Sequence, residues 1–67
     1  MKHAVRTFNL SGKFIWEDSF ETAEKAYEEY VDTIENLKRN LPKGQGVIVV
    51  RFNNEKVMTQ ETIIGTR

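Results

Sequence analysis

Glu28 and Glu29, with Asp32 one turn on, are adjacent carboxylates that could do chemistry. General acid–base work needs two carboxyl groups that converge across a pocket. Helical spacing sends these outward instead, so they do not read as a catalytic pair. His3 is the sole histidine and there is no cysteine. That removes disulfides, thiolate metal sites and a cysteine nucleophile, and leaves a histidine-rich metal site or a Ser–His pair little to draw on. Ser11 and Ser19 have no base near them in sequence, and they stand where a turn and a helix entry favour serine. Gly44-Gln45-Gly46 lacks the spacing and the following helix of a phosphate-cradling loop. The expectation is a binding protein that is not an enzyme and takes no cofactor and no metal.

The charges point the same way. Ten basic and ten acidic side chains cancel to a net charge of zero. This argues against a protein that simply coats nucleic acid, and against a uniformly acidic mimic of it. The balance hides a segregation. Glu17 to Glu35 holds eight acids against Lys25, a net −7, while the remainder carries nine bases against Glu55 and Glu61, a net +7. Glu24, Glu28, Asp32 and Glu35, together with Glu21, line up opposite an apolar helix stripe. Glu24–Glu28 and Glu28–Asp32 are like-charge pairs at i,i+4, each costing about 0.2–0.5 kcal/mol. Glu24, Glu28, Asp32 and Glu35 are therefore the candidate docking face for a basic protein partner, set against the ordinary alternative of a solvated face whose acids favour the helix N-terminal side.

The elements that position these residues follow from periodicity. Val5 to Leu10 and Lys13 to Glu17 are rich in β-formers around Ser11-Gly12 and predict a hairpin. A three-residue loop is expected, because it puts Phe8, Phe14 and Trp16 on one face and Thr7, Asn9, Ile15 and Glu17 on the other. A two-residue loop would pair Phe8 with Ile15. Thr22 to Asn40 predicts a helix with Thr22 as N-cap, and Asp18 with Glu21 offers a rival start. Ala23, Ala26, Tyr27, Tyr30, Ile34, Leu37 and Leu41 recur at steps of three and four, marking the buried stripe. Lys38 and Arg39 suit its last turn, and Pro42 and Gly44 end it. Val47 to Phe52 and Lys56 to Ile64 predict two more strands joined at Asn53-Asn54, where asparagine tolerates positive φ. The register of that second hairpin stays open. A hairpin leading through Phe20-Glu21-Thr22-Ala23-Glu24 into an amphipathic helix is common among small antitoxin-like and phage-type α+β proteins. The likeness rests on capping and periodicity, and it carries no site residue across.

The expected architecture is a single α+β domain over 1–67, ββαββ, with a four-stranded, mainly antiparallel sheet and one helix packed on one face. Strand order 2-1-3-4 makes every neighbouring pair antiparallel, and 1-2-3-4 is the alternative. One helix covers only one face of such a sheet, yet Val47-Ile48-Val49-Val50 and Phe14-Ile15-Trp16 do not alternate apolar with polar. The other face is then expected to be an interface, set against the ordinary alternative that a few exposed valines on a central strand are normal sheet surface. Val47, Val49, Arg51 and Ile15 are the candidate residues for it, with Ile48 and Val50 as the other parity. A core this small is marginal, and self-association is the staple left open to it. The expected partners are a second copy of the chain and another protein. Nucleic acid, bound on the basic sheet side through Arg6, Lys13, Arg51 and Lys56, is the alternative. The N-terminus lacks an apolar leader-like stretch and the longest apolar run is Val47 to Val50, so no membrane partner and a cytoplasmic location are expected.

Overall fold

The computed structural model describes residues 2–66, and it is an α+β fold of four strands and one helix. In chain order these are β1 (His3–Asn9), β2 (Phe14–Phe20), α1 (Ala23–Asn40), β3 (Gly46–Asn53) and β4 (Lys56–Ile64). The strands form one open sheet in the order β2-β1-β3-β4 with every neighbouring pair antiparallel, and α1 packs on one face. This is the expected 2-1-3-4 order. Strand β2 runs three residues further than its β-formers indicate, through Asp18 and Ser19 to Phe20. Pairing with the start of β1 draws these weak β-formers into the ladder, since Val5 opposes Asp18 and His3 opposes Phe20. The negative segment is therefore not confined to the helix, because Glu17 and Asp18 belong to an edge strand.

The first hairpin turns through Leu10, Ser11 and Gly12. The Asn9 N–H donates to the Lys13 carbonyl at 2.9 Å, and the Gly12 N–H donates to the Asn9 carbonyl at 2.9 Å. The Asn9 side chain organises this loop: its Oδ1 accepts from the backbone N–H of Ser11 (3.0 Å) and of Lys13 (2.9 Å). Gly12 takes φ +89°, where a Cβ would be strained. Phe8 then opposes Phe14, as a three-residue loop requires. The register shifts immediately afterwards. Ile15 is the extra residue of a bulge, and Thr7 opposes Trp16. The bulge moves Trp16 off the face of Phe8 and Phe14 and brings Glu17 opposite Arg6, which corrects the expected grouping of both residues.

Helix α1 starts where its cap indicates. Thr22 has φ −126° and ψ 153°, and its Oγ1 accepts the Lys25 N–H at 3.2 Å. Asp18, the rival start, is in β2. The helix closes with the Leu41 N–H donating to the Leu37 carbonyl at 2.9 Å, and Gly44 turns the chain at φ +89°. Its buried positions are Ala26, Tyr30, Thr33 and Ile34, with Val31 and Leu37 partly covered. Ala23 and Tyr27, expected in the stripe, are exposed instead. The buried arc is rotated towards Thr33, because Ala26 is fully buried and lets the helix backbone come close to the sheet. The core joins Tyr30, Ile34 and Leu41 to Val5, Val47, Val49 and Ile63.

The second hairpin turns at Asn54 and Glu55, both at positive φ (53° and 65°), with Asn53 opposing Lys56. Two left-handed residues make a turn whose twist matches the flanking strands. A second bulge, at Met58, follows between Arg51 and Phe52 of the partner strand. At the far end, the Gly65 N–H donates to the Gln45 carbonyl at 2.8 Å and fastens the chain after β4 to the loop after α1.

Candidate functional site: the uncovered sheet face and the helix flank

Directly opposed residues share a face of a sheet, so the register sorts every strand residue. Val47 opposes Ile63, Val49 opposes Thr7, and Arg51 opposes Val5. Val5, Val47, Val49 and Ile63 are in the core under α1. Val47, Val49 and Arg51 therefore face the helix, which corrects their expected place on the open face. Both parities of β3 are apolar, and the neighbouring strand decides between them. On β1 the parity under the helix holds Val5 and Thr7, small β-branched residues 1% and 2% exposed, whereas the other parity holds the longer Arg6 and Phe8. Ile15, bulged on an edge strand and 48% exposed, lines an open recess of about 430 Å³ with Leu10 and Val47 at the loop end of the sheet.

The face without a helix is built from the other parity. Phe8 opposes Ile48, Arg6 opposes Val50, and Ala4 opposes Phe52 across the two central strands. The edge strands add Phe14 beside Phe8 and Val57 beside Phe52. Phe8 and Phe14 meet edge-to-face with centroids 6.1 Å apart. Phe14 and Val57 are 54% and 55% exposed, and Ile64 opposite Gly46 is 56% exposed. Val50, opposite Arg6 on the central pair of strands, is only 5% exposed although no helix lies above it.

Arg6 sits in the middle of this apolar surface, and its charge is matched in place. Its guanidinium lies 4.4 Å from the centroid of the Phe52 ring. Its Nε donates to Glu17, and its Nη2 donates to both carboxylate oxygens of Glu55 at 3.0 and 3.2 Å. The hydrogen bond to Glu17, then that to Glu55, raises the Arg6 pKa above its ordinary value. The sequence lists Arg6 only as a strand cation. The bulge at Ile15 and the tight turn at Glu55 are what bring it two carboxylates.

On the opposite side of the molecule, Tyr27 stands out from α1 with its ring 53% exposed. The Arg51 guanidinium lies 5.4 Å from its centroid, and the Tyr30 ring is tilted against it at 6.5 Å. Two recesses adjoin at Tyr27 and Glu28. One, of about 410 Å³, is bounded by Ala23, Glu24 and Arg51, and the other, of about 400 Å³, by Val31 and Asp32. The structure thus brings Glu24, Glu28 and Asp32 to one flank. Glu35 lies further along, paired with Arg39 at 3.8 Å.

The strand cations do not converge. Arg6 faces outward between carboxylates, while Arg51 faces the helix and bonds Thr59 at 3.3 Å. Among the described residues, no three His, Asp or Glu side chains are grouped so as to hold a metal ion, and no helix is long and apolar enough to cross a membrane. No family model matches the chain, and comparison with curated proteins and with solved structures finds no match.

Proposed function

We propose that this is a non-enzymatic protein-interaction domain that self-associates by packing its uncovered sheet face against the same face of a second copy. The observation that supports this is the apolar face around Phe8, Ile48, Phe52 and Val57, with its one central cation ion-paired to Glu17 and, at the exposed rim, to Glu55. An unpaired charge would make burial of such a face costly, and a paired, hydrogen-bonded one removes most of that penalty. A two-fold axis through the sheet would let the patch meet itself. The edges favour face-to-face over edge-to-edge association: β2 and β4 each carry a bulge, at Ile15 and Met58, which twists an edge away from further pairing. The acidic helix flanks would remain outward, available to another protein.

Light scattering over a concentration series, at low and high salt, tests this. The expected mass is twice the 7.8 kDa of the chain and indifferent to salt. Phe14→Glu and Ile48→Lys each place an unpaired charge on the buried face and should weaken the dimer by about 100-fold or more, while circular dichroism shows the fold retained. A monomer at every concentration overturns self-association.

A further inference from the structure

We infer that the recess lined by Tyr27, Glu28, Val31 and Asp32 seats an arginine or lysine side chain from a basic segment of another protein. The acids alone would be a solvated helix face. What singles out this flank is an apolar floor beneath them. Tyr27 is half-exposed although its neighbour Tyr30 is buried, and Val31 is only partly covered. A long basic side chain has the same two-part character, an apolar stem ending in a charge. Its stem would lie along Val31 and the open face of Tyr27, and its charged head would sit between Glu28 and Asp32.

The charges around the recess are unmatched. Elsewhere Glu17 and Glu55 pair with Arg6, Glu35 with Arg39, and Glu61 with Lys38 at 3.1 Å, while Asp18, Glu21 and Glu29, which line neither recess, have no ion-pair partner among the described residues. Among the described residues, Glu24, Glu28 and Asp32 have no ion-pair partner. They repel one another at i,i+4 spacing, and an incoming cation would relieve that repulsion. Arg51 already lies against the Tyr27 ring and lines the adjoining recess with Glu24, so a basic group placed against this ring has a precedent within the molecule. The three acids recur every four residues, about 6 Å of helix rise each. A partner helix with arginines four residues apart presents its charges at the same interval. The inference rests on reading the molecule as a binding protein but not on its self-association, because the recess is on the helix side of the sheet.

The test is a titration of the isotopically labelled protein with an alanine-based peptide carrying arginines at i,i+4, followed by NMR. The same peptide with glutamine in place of arginine is the comparison. At low salt the arginine peptide should shift the Tyr27, Val31 and Asp32 resonances and the glutamine peptide should not. The double reversal Glu28→Lys/Asp32→Lys should weaken binding at least about 10-fold, and Tyr27→Ala about 3-fold. The control reversal Glu21→Lys/Glu29→Lys changes the net charge equally but lines neither recess, and it should have less than about a 3-fold effect. Absence of binding at low salt, an equal loss with the control reversal, or binding unchanged in Tyr27→Ala overturns the assignment. Resonances at Phe8, Phe52 and Val57 report separately on the sheet face, so this result and the dimer result are read independently.

Discussion

The hydroxyl of Thr7 is buried on the helix side of β1 with no hydrogen-bond partner, in a residue only 2% exposed. It lies between Trp16 and Val49 in the ladder. A β-branched residue of this size fits the space under the helix, and valine would fit it equally well without an orphaned donor. Thr7→Val should therefore raise stability by about 1 kcal/mol, read from urea unfolding at fixed protein concentration. A loss of stability would show that the hydroxyl has a partner after all. Arg6 is the opposite case, a charge on an apolar surface whose hydrogen bonds are met by Glu17 and Glu55 and whose guanidinium lies over the Phe52 ring. Thr7 could be read as a strand residue from sequence but its burial could not, because that depends on which parity of β1 lies beneath the helix.

Among the elements, the second hairpin carries the clearest conflict between residue and conformation. Asn54 suits a left-handed turn position, but Glu55 at φ 65° stands where glycine is preferred. Holding a glutamate there costs about 1–2 kcal/mol. Its carboxylate bonds Arg6 in return, although Glu55 is 75% exposed and an ion pair that open contributes about 0–1 kcal/mol. Glu55→Gly should thus increase the stability of the isolated chain, by about 1 kcal/mol at most, and leave self-association changed by less than about 3-fold, because Arg6 keeps Glu17 as a one-to-one partner. Denaturant unfolding at low concentration and light scattering at high concentration read the two separately. If stability falls instead, the pairing with Arg6 outweighs the backbone strain. The helix shows no such conflict. Thr22, the periodic apolar residues, Leu41 and Gly44 all agree on where it begins and ends, and so its limits were legible in the sequence.

At the scale of the whole molecule, the ends of distant elements are locked at Gly65. A Cβ there would lie 1.9 Å from the Pro42 carbonyl oxygen and 2.7 Å from that of Leu41. Backbone atoms cannot move aside as a flexible side chain would, so Gly65→Ala should cost about 1–3 kcal/mol, visible as a lower midpoint in denaturant unfolding. Unchanged stability would mean that the chain after β4 is not held against the loop after α1. The two proposed surfaces combine at this scale. A face-to-face dimer buries both sheets and turns both acidic helix flanks outward on opposite sides, giving two seats for basic segments and the avidity that follows from linking them.

The sequence by itself determined the elements and their order along the chain, because capping, period and turn chemistry are local and each is written in neighbouring residues, while the antiparallel pairing of β1 with β3 was decided by the tertiary structure over a parallel alternative. It also determined that the sheet would be apolar on both faces, since Val47 to Val50 leave no polar parity to expose. The tertiary structure decided which face the helix covers. Val47, Val49 and Arg51 turn inward and Ile48, Val50 and Phe52 outward because they pair with β1, whose compact Val5 and Thr7 lie under the helix and whose Arg6 and Phe8 do not, a matter of packing between segments far apart in the chain. It likewise decided the company Arg6 keeps. A bulge at Ile15 shifts one register, a strained turn presents Glu55, and two carboxylates distant in sequence meet one cation on the open face.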